Sequence, residues 1–365
     1  MPATDLLALL ERHFGYKSFR PLQQEIINDC LAGHDVFALL PTGGGKSLCF
    51  QLPALAREGL TLVVSPLIAL MKDQVDGLTF NEIPATFLNS TLSESETKKR
   101  YRNLYQHEYR LLYIAPERLL HPSFLERIPE FNITQVAIDE AHCISEWGHD
   151  FRPEYRQLAS LRALLPKVPF LALTATATER VRTDIIRLLD LHEPRCYTAS
   201  FNRPNLTYRV VPKAKAAEQI IEIVQSRPDD CGIVYCHSRK STEQLATKLQ
   251  EEGIAAAAYH AGLTPSIRSS CQEKFLRDDL RVVCATIAFG MGVHKPNVRY
   301  VIHADLPKNI EGYYQETGRA GRDGLPSDCH LLYSAADAIK QKKFIEEKSV
   351  EEQRIAREQL QQMIH

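Results

Sequence analysis

Short apolar runs recur along this chain, each closed by polar or turn residues, with helix-period segments between them. VFALL at 36–40, LTLVVS at 60–65, LLYIA at 111–115, VAID at 136–139 and FLALT at 170–174 form a first series. Near-continuous apolar runs of this length predict strands of a parallel sheet covered on both faces. The pattern then restarts with GIVYC at 232–236, AAAAYH at 255–260, VVCA at 282–285, YVIH at 300–303 and HLLY at 330–333. Two successive αβ series predict an α/β protein of two tandem domains, 1–205 and 206–338, each a mostly parallel sheet flanked by helices. The stretch 200–212, with Pro204 and Pro212, reads as the link between them. Beyond about residue 335 the chain turns helical and charged. Ile339, Ile345, Ile355, Leu360 and Ile364 suggest one apolar face on a tail, 339–365, that has no evident packing partner.

Composition narrows the picture. A length of 365 residues suits two domains, and 44% hydrophobic with 24% charged residues is ordinary for a globular protein. The formal net charge of -1 excludes a uniformly basic nucleic-acid binder, so any such contact must rest on local clusters. No apolar run approaches a membrane span, and the first residues, MPATDLLALLERHFG, carry acids where a signal peptide would be basic. No membrane partner is expected, and a cytoplasmic location is. Nine cysteines without a C-x-x-C pair point to reduced, mostly buried thiols and to no zinc within the chain.

The chemistry concentrates in three places. PTGGGKS at 41–47 follows a predicted strand and precedes a helix-like segment at 48–56. Thr42, Gly43, Gly44 and Gly45 let backbone N–H groups curl around phosphate oxygens, the helix N-terminus adds partial positive charge, Lys46 suits the β- and γ-phosphates, and the Ser47 hydroxyl suits Mg²⁺. Leu40 stands where the general pattern has its first glycine. Asp139 and Glu140 close another predicted strand, the place where α/β sheets bind ligands. Asp139 is a candidate for Mg²⁺, directly or at one remove, and Glu140 for polarising an attacking water. An isolated acid pair is usually just solvated, and the phosphate loop upstream is what reverses that reading. QETGRAGRDG at 315–324 carries Arg319 and Arg322 three apart, which on a helical turn share a face and suit a spread anionic charge. Exposed ion pairing is the plainer reading of two such arginines.

PTGGGKS, DEAH at 139–142, TATA at 174–177 and QETGRAGRDG, in this order, resemble the superfamily 2 helicases. The closer resemblance is to the RecQ family of DNA helicases. It is carried by FGYKSFRPLQQEII at 14–27, VSPLIALMKDQV at 64–75, DEAHCISEWGHDFRPEY at 139–155, FNRPN at 201–205, AYHAGL at 258–263 and ATIAFGMGVHKPNVR at 285–299. The resemblance implies two RecA-like domains with ATP and Mg²⁺ between them. It implies stacking of Tyr16 on adenine, with Arg20 and Gln23 beside it, and action of Arg319 and Arg322 on the γ-phosphate, Arg322 being the finger itself. Thr174 and Thr176 resemble the motif that couples hydrolysis to the DNA path. SEWGHDFR at 145–152 resembles the family's aromatic-rich loop, which puts Trp147, His149, Phe151 and Arg152 on single-stranded DNA. Ser238, Arg239 and Thr286 match segments lining the strand path, although hydroxyls in such places are often only caps. The resemblance implies a DNA-dependent ATPase acting in recombination and repair as a monomer, moving 3′ to 5′ on single-stranded DNA and 3′-tailed duplexes. Many members continue into a four-cysteine zinc subdomain and a winged helix. Neither is in this sequence, so ATP hydrolysis is a firmer expectation than duplex unwinding. An RNA helicase of the same superfamily and a nucleotide-binding scaffold are the alternatives.

Overall fold

The computed structural model describes residues 5–148, 150–290, 295–347 and 349–364. They divide into two compact units, Met1–Phe201 and Asn202–His365.

In the first unit β1 (Val36–Leu39), β2 (Leu60–Val64), β3 (Ala85–Leu88), β4 (Leu111–Ile114), β5 (Ile133–Ile138), β6 (Phe170–Thr174) and β7 (Arg195–Thr198) build one seven-stranded sheet in the order β3-β4-β2-β5-β6-β1-β7. Every neighbouring pair is parallel. Successive residues of β1 feed two separate cores. Phe37 and Leu39 pack with Val64, Ile138 and Tyr155 on one face, while Val36 and Ala38 pack with Ile26, Phe50 and Met71 on the other. Burial on both faces is why these strands read as continuous apolar runs rather than alternating ones. Strands β3 and β7 were not legible in the sequence. The first is four residues behind Pro84, and the second is an edge strand, RCYT, with mostly exposed side chains, so neighbours supply the strand character that composition lacks.

A parallel sheet places all its strand ends at one edge. The segments after β1, β5 and β6 therefore leave together. The opposite edge is held by Asp35, just before β1. Its buried carboxylate accepts from Arg162 Nη2 at 2.5 Å, Phe170 N at 2.8 Å and His192 N at 2.7 Å, tying the starts of β1 and β6 to the turn before β7.

The second unit repeats the plan. Strands β8 (Leu206–Pro212), β9 (Cys231–Tyr235), β10 (Ala256–Tyr259), β11 (Val282–Ala285), β12 (Val298–His303) and β13 (Ser327–Tyr333) form a six-stranded parallel sheet ordered β10-β11-β9-β12-β13-β8. The predicted link at 200–212 is thus largely a strand. Strand β8 lies at the sheet edge with most side chains exposed and Pro212 at its end, and it pairs with β13 from Leu206 to Pro212. Prolines tolerated at an edge gave it the look of a linker. The break falls between Phe201 and Asn202 rather than after Asn205, because Arg203 and Asn205 donate to the carbonyls of Gly318 and Gly321 in the second unit.

The tail does have a packing partner. Helices Ala335–Glu346 and Val350–Ile364 return their apolar residues Ala338, Ile345 and Leu360 to Leu306, Tyr313 and Leu331. Ile339, expected on that face, is 58% exposed and points away from it. Lys213 at the end of β8 anchors the first of these helices, reaching Asp305 at 2.8 Å and Asp337 at 3.0 Å. Among the described residues no helix is long and apolar enough to cross a membrane.

Replacing Asp35 strands the buried Arg162 guanidinium and frees two backbone donors. Asp35→Ala is expected to lower unfolding free energy by about 3–5 kcal/mol, as breaking a buried pair from one side does. Urea unfolding of wild type and variant measures it, and a loss below about 1 kcal/mol would contradict the role of Asp35 as the hub of that edge.

Candidate active site

The phosphate loop lies where its sequence places it. Strand β1 ends at Leu39, the Leu40 N–H donates to the Thr174 carbonyl at 3.1 Å, and residues 41–47 lead into the helix Leu48–Ala56. Gly45 has φ of +78°, and a Cβ there would lie 2.3 Å from Gln23 Nε2, so only glycine fits. Gly43 is also left-handed, at +81°. Gly44 between them and Thr42 just before them are half-buried. Lys46 Nζ lies 3.5 Å from the Leu40 carbonyl, folded over the loop it follows. Ser47 precedes the helix and makes no capping bond, which leaves its hydroxyl uncommitted to the helix end.

Gln23 and Arg20 sit differently from the adenine-reading arrangement implied by resemblance. Gln23 is buried, its Nε2 donates to the Gly45 carbonyl at 3.1 Å, and its Oε1 accepts the Arg20 N–H at 2.8 Å. The Arg20 guanidinium donates to the Gly43 carbonyl. Both side chains brace the phosphate loop from behind, since a buried amide must spend its polar atoms on nearby backbone. Tyr16 is 56% exposed, which leaves its ring open to stacking.

The acids follow β5. The Asp139 N–H donates to the Val64 carbonyl at 2.9 Å, continuing the ladder, and the chain then turns sharply, with Glu140 at φ +48° and ψ +46°. Left-handed backbone at a glutamate is uncommon and marks a position held by its surroundings. Burial and the adjacent Glu140 carboxylate push the Asp139 carboxyl upward, and the Lys46 ammonium pulls it back. The acid and the phosphate-loop lysine therefore share one electrostatic site. Ser47 and Asp139 are hard oxygen donors of the kind Mg²⁺ takes, and a buried carboxyl with this raised proton affinity gains from a nearby cation, so the pair fits that ion.

Sequence reading did not find His142 as a member of this site. It is fully buried, and its Nδ1 lies 2.9 Å from Thr174 Oγ1 and 3.3 Å from Glu140 Oε2. The Thr174 hydroxyl also has the Thr176 carbonyl as an acceptor at 3.0 Å, so a proton on Nδ1 would complete the His142 contact. Glu140 Oε2 thus lies beside the ring that contacts Thr174, without a hydrogen bond of its own among the described residues. The DEAH letters carried a signal for His142, but its partner lies across the sheet on β6.

The aromatic loop is more engaged than the sequence implied. Trp147 is half-buried against the first core, with the Arg180 guanidinium 3.4 Å from its ring centre. Arg156 lies 5.0 Å over Phe151. Arg152 pairs with Asp150 at 3.2 Å and donates to the Pro66 carbonyl at 2.9 Å, so its guanidinium is committed within the unit rather than offered outward. His149 lies outside the described residues.

In the second unit Ser238 caps the helix Arg239–Glu251, exchanging bonds with Ser241, which is the plain structural use of a serine there. Arg239 is exposed and lies against Gly262. Thr286 is half-buried directly after β11. Arg319 and Arg322 do not share a helical face: the helix Ile310–Thr317 ends before them, and both lie in the following turn. Arg319 is buried, donates to the Gly290 carbonyl and neighbours the Tyr235 hydroxyl. Arg322 is half-buried and also lies in the field of Tyr235.

Residues 20–185 match the DEAD/DEAH box helicase family, and residues 213–324 match the helicase conserved C-terminal domain. The ATP-dependent DNA helicase RecQ of Pasteurella multocida is 50% identical over 348 residues, 95% of this chain and 55% of that protein. The RecQ helicase of Bacillus subtilis is 46% identical over 360 residues, 98% of this chain and 61% of that protein. The chain thus spans a little over half the length of these relatives. Among solved structures, the helicase MrfA bound to DNA superposes with a TM-score of 0.76 at 18% identity, covering 96% of this chain and 54% of that one. Mycobacterium smegmatis helicase Lhr, bound to single-stranded DNA and a nucleotide analogue, gives 0.71 at 19% identity, covering 94% and 49%. These two share the tandem RecA-like fold. Two helicase domain matches in order, with this level of identity across nearly the whole chain, show strong homology to the RecQ helicases over the part of those proteins that the chain spans.

Proposed function

We propose that the chain is the motor of a DNA-dependent ATPase that moves 3′ to 5′ along single-stranded DNA and acts on 3′-tailed duplexes in recombination and repair. The observation that carries this reading is the convergence of the phosphate loop, Asp139 and Glu140 at one sheet edge, joined through Thr174. Relatives named ATP-dependent DNA helicases support the substrate class. Their bacterial sources favour a cytoplasmic protein working on the nucleoid, and we take it to act as a monomer. Lys46 holds the β- and γ-phosphates, Tyr16 stacks on the base, and Glu140 takes the proton of the attacking water. Ser47 and Asp139 hold Mg²⁺, which neutralises charge on the phosphates. His142 keeps the Glu140 carboxylate oriented. Arg322 meets the charge that develops on the transferred phosphoryl group, while Ser238, Arg239, Thr286 and the loop 145–152 line the DNA path. ATP turnover without nucleic acid, with single-stranded DNA and with RNA tests the reading. Stimulation by DNA is expected, and stimulation by RNA alone would favour an RNA helicase.

Lys46→Ala is expected to abolish turnover. Glu140→Gln is expected to bind ATP–Mg²⁺ and hydrolyse it at least about a hundredfold more slowly, because the amide keeps the shape and loses the basic oxygen. Nucleotide binding lost along with turnover would make Glu140 structural.

The two arginines separate by burial. Arg319→Ala leaves the Gly290 carbonyl unpaired inside the second unit, and a stability loss of about 1–3 kcal/mol is expected in denaturant melts. Arg322→Ala is expected to lower kcat far more than ATP affinity while leaving the melt close to wild type. A pure affinity loss in Arg322→Ala would refute its assignment to the transition state.

Trp147 is the sole tryptophan, so its fluorescence reads its own surroundings. Single-stranded DNA is expected to change that emission, since a base stacking there must displace Arg180. Stacking contributes about 1–3 kcal/mol, so Trp147→Ala is expected to weaken DNA binding and remove most of the stimulation of turnover. A lowered melting temperature with normal stimulation would make Trp147 a core anchor only.

A further inference from the structure

Glu140 occupies left-handed backbone that a glutamate does not choose, so something nearby must hold the preceding peptide in place. That something is Tyr155. Its ring is fully buried in the first core, and its hydroxyl donates to the Asp139 carbonyl at 3.0 Å. This carbonyl belongs to the peptide joining Asp139 to Glu140, so its direction sets the ψ of one acid and the φ of the other. Burial drives the Tyr155 phenol strongly toward its protonated form, with Cys143, Asp139 and Glu140 adding in the same sense, so it remains a donor.

The other end of Tyr155 leads to the aromatic loop. Tyr155 sits in the short 3-10 helix Pro153–Ala159, which begins at Arg152, the last residue of that loop. The loop is closed at its base by the Arg152 N–H donating to the Cys143 carbonyl at 2.8 Å, and Arg152 Nη1 fixes the same point to the Pro66 carbonyl at 2.9 Å. At its start, Ser145 Oγ donates to Asp184 at 2.6 Å, holding that side to the helix Glu179–Leu188. The turn that carries the Tyr155 hydroxyl is thus continuous with the pinned base of the loop, and that hydroxyl holds the peptide between the two acids.

We propose that Tyr155 is a positioning residue for the hydrolytic step: its hydroxyl sets the Glu140 backbone and links the loop 145–152 to the water-activating carboxylate. This rests on the ATPase reading above. A fully buried tyrosine with a satisfied hydroxyl is ordinarily a packing residue, and the placement of its one bond on the strained peptide is what sets it apart. The test is Tyr155→Phe, which keeps the ring and removes one bond. The comparison is Tyr300→Phe, another fully buried tyrosine, in the second unit, whose hydroxyl has no hydrogen-bond partner among the described residues. Turnover is measured against ATP with and without single-stranded DNA, beside thermal melts and equilibrium binding of ATP–Mg²⁺. In Tyr155→Phe, kcat is expected to fall about tenfold or more, because small misplacements of a reacting group have effects of that size. The KM for ATP and the binding constant are expected to stay within about twofold, and the fold stimulation by DNA to shrink. Tyr300→Phe is expected to leave kcat and stimulation unchanged. A lower melting temperature in Tyr155→Phe with wild-type kcat per folded molecule overturns the proposal and leaves Tyr155 a packing residue. A rise in KM with kcat unchanged also overturns it. Absence of turnover in the wild type would overturn the ATPase reading itself, so the two failures are distinct.

Discussion

Thr174, the last residue of β6, is the joint on which the site in the first unit depends. Its carbonyl accepts the Leu40 N–H where the phosphate loop begins, and its hydroxyl receives His142, which in turn faces Glu140. Strand β6 lies between β1 and β5 in the sheet, so one residue reaches both neighbours. The register Leu39↔Thr174 on one side and Ile138↔Ala172 on the other fixes how far each loop protrudes. A slip of one residue would turn Thr174 to the other face of the sheet and break both links. The Thr174 hydroxyl is satisfied on two sides, by the Thr176 carbonyl and by His142, whereas Glu140 Oε2 has no hydrogen bond among the described residues.

The same logic governs the lower edge. Asp35 gathers the starts of β1 and β6 and the turn before β7 into one carboxylate, so the strands that carry the chemistry above are clamped below. Clamped strands with short loops at their ends suit a nucleotide site, because the loop positions are inherited from the sheet.

The second unit repeats the sheet with a different interior. His303 pairs with Glu316 at 2.7 Å and stacks on Tyr235, and Tyr235 neighbours Arg319. A buried guanidinium beside Gly290 leaves no room for a side chain there, since a Cβ would fall 2.6 Å from Arg319 Nη2. Arg319 therefore acts first as a structural centre of its unit, while Arg322 lies nearer the surface. Three positions separate two arginines that the motif presents as equals.

The sequence by itself determined the fold class and the two sheets, and it put the glycine loop and the acid pair at strand ends. Strands buried on both faces need unbroken apolar runs, and a loop around phosphate needs glycine at defined places, so both are written locally. It did not show β8, whose strand character comes from pairing with β13, nor the packed tail, whose apolar face finds Leu306 and Tyr313 only in three dimensions. It named Gln23, Arg20 and Arg152 as ligand-facing, and in the fold each donates to a backbone carbonyl of its own unit, Gln23 because it is buried and the two arginines although they keep solvent contact. His142 and Tyr155 were in plain view as letters within one motif. Their roles depend on a threonine 32 residues away and on a carbonyl 16 residues back. Distances of that kind are set by how the chain packs and not by any local pattern, and for that reason only the tertiary structure decided them.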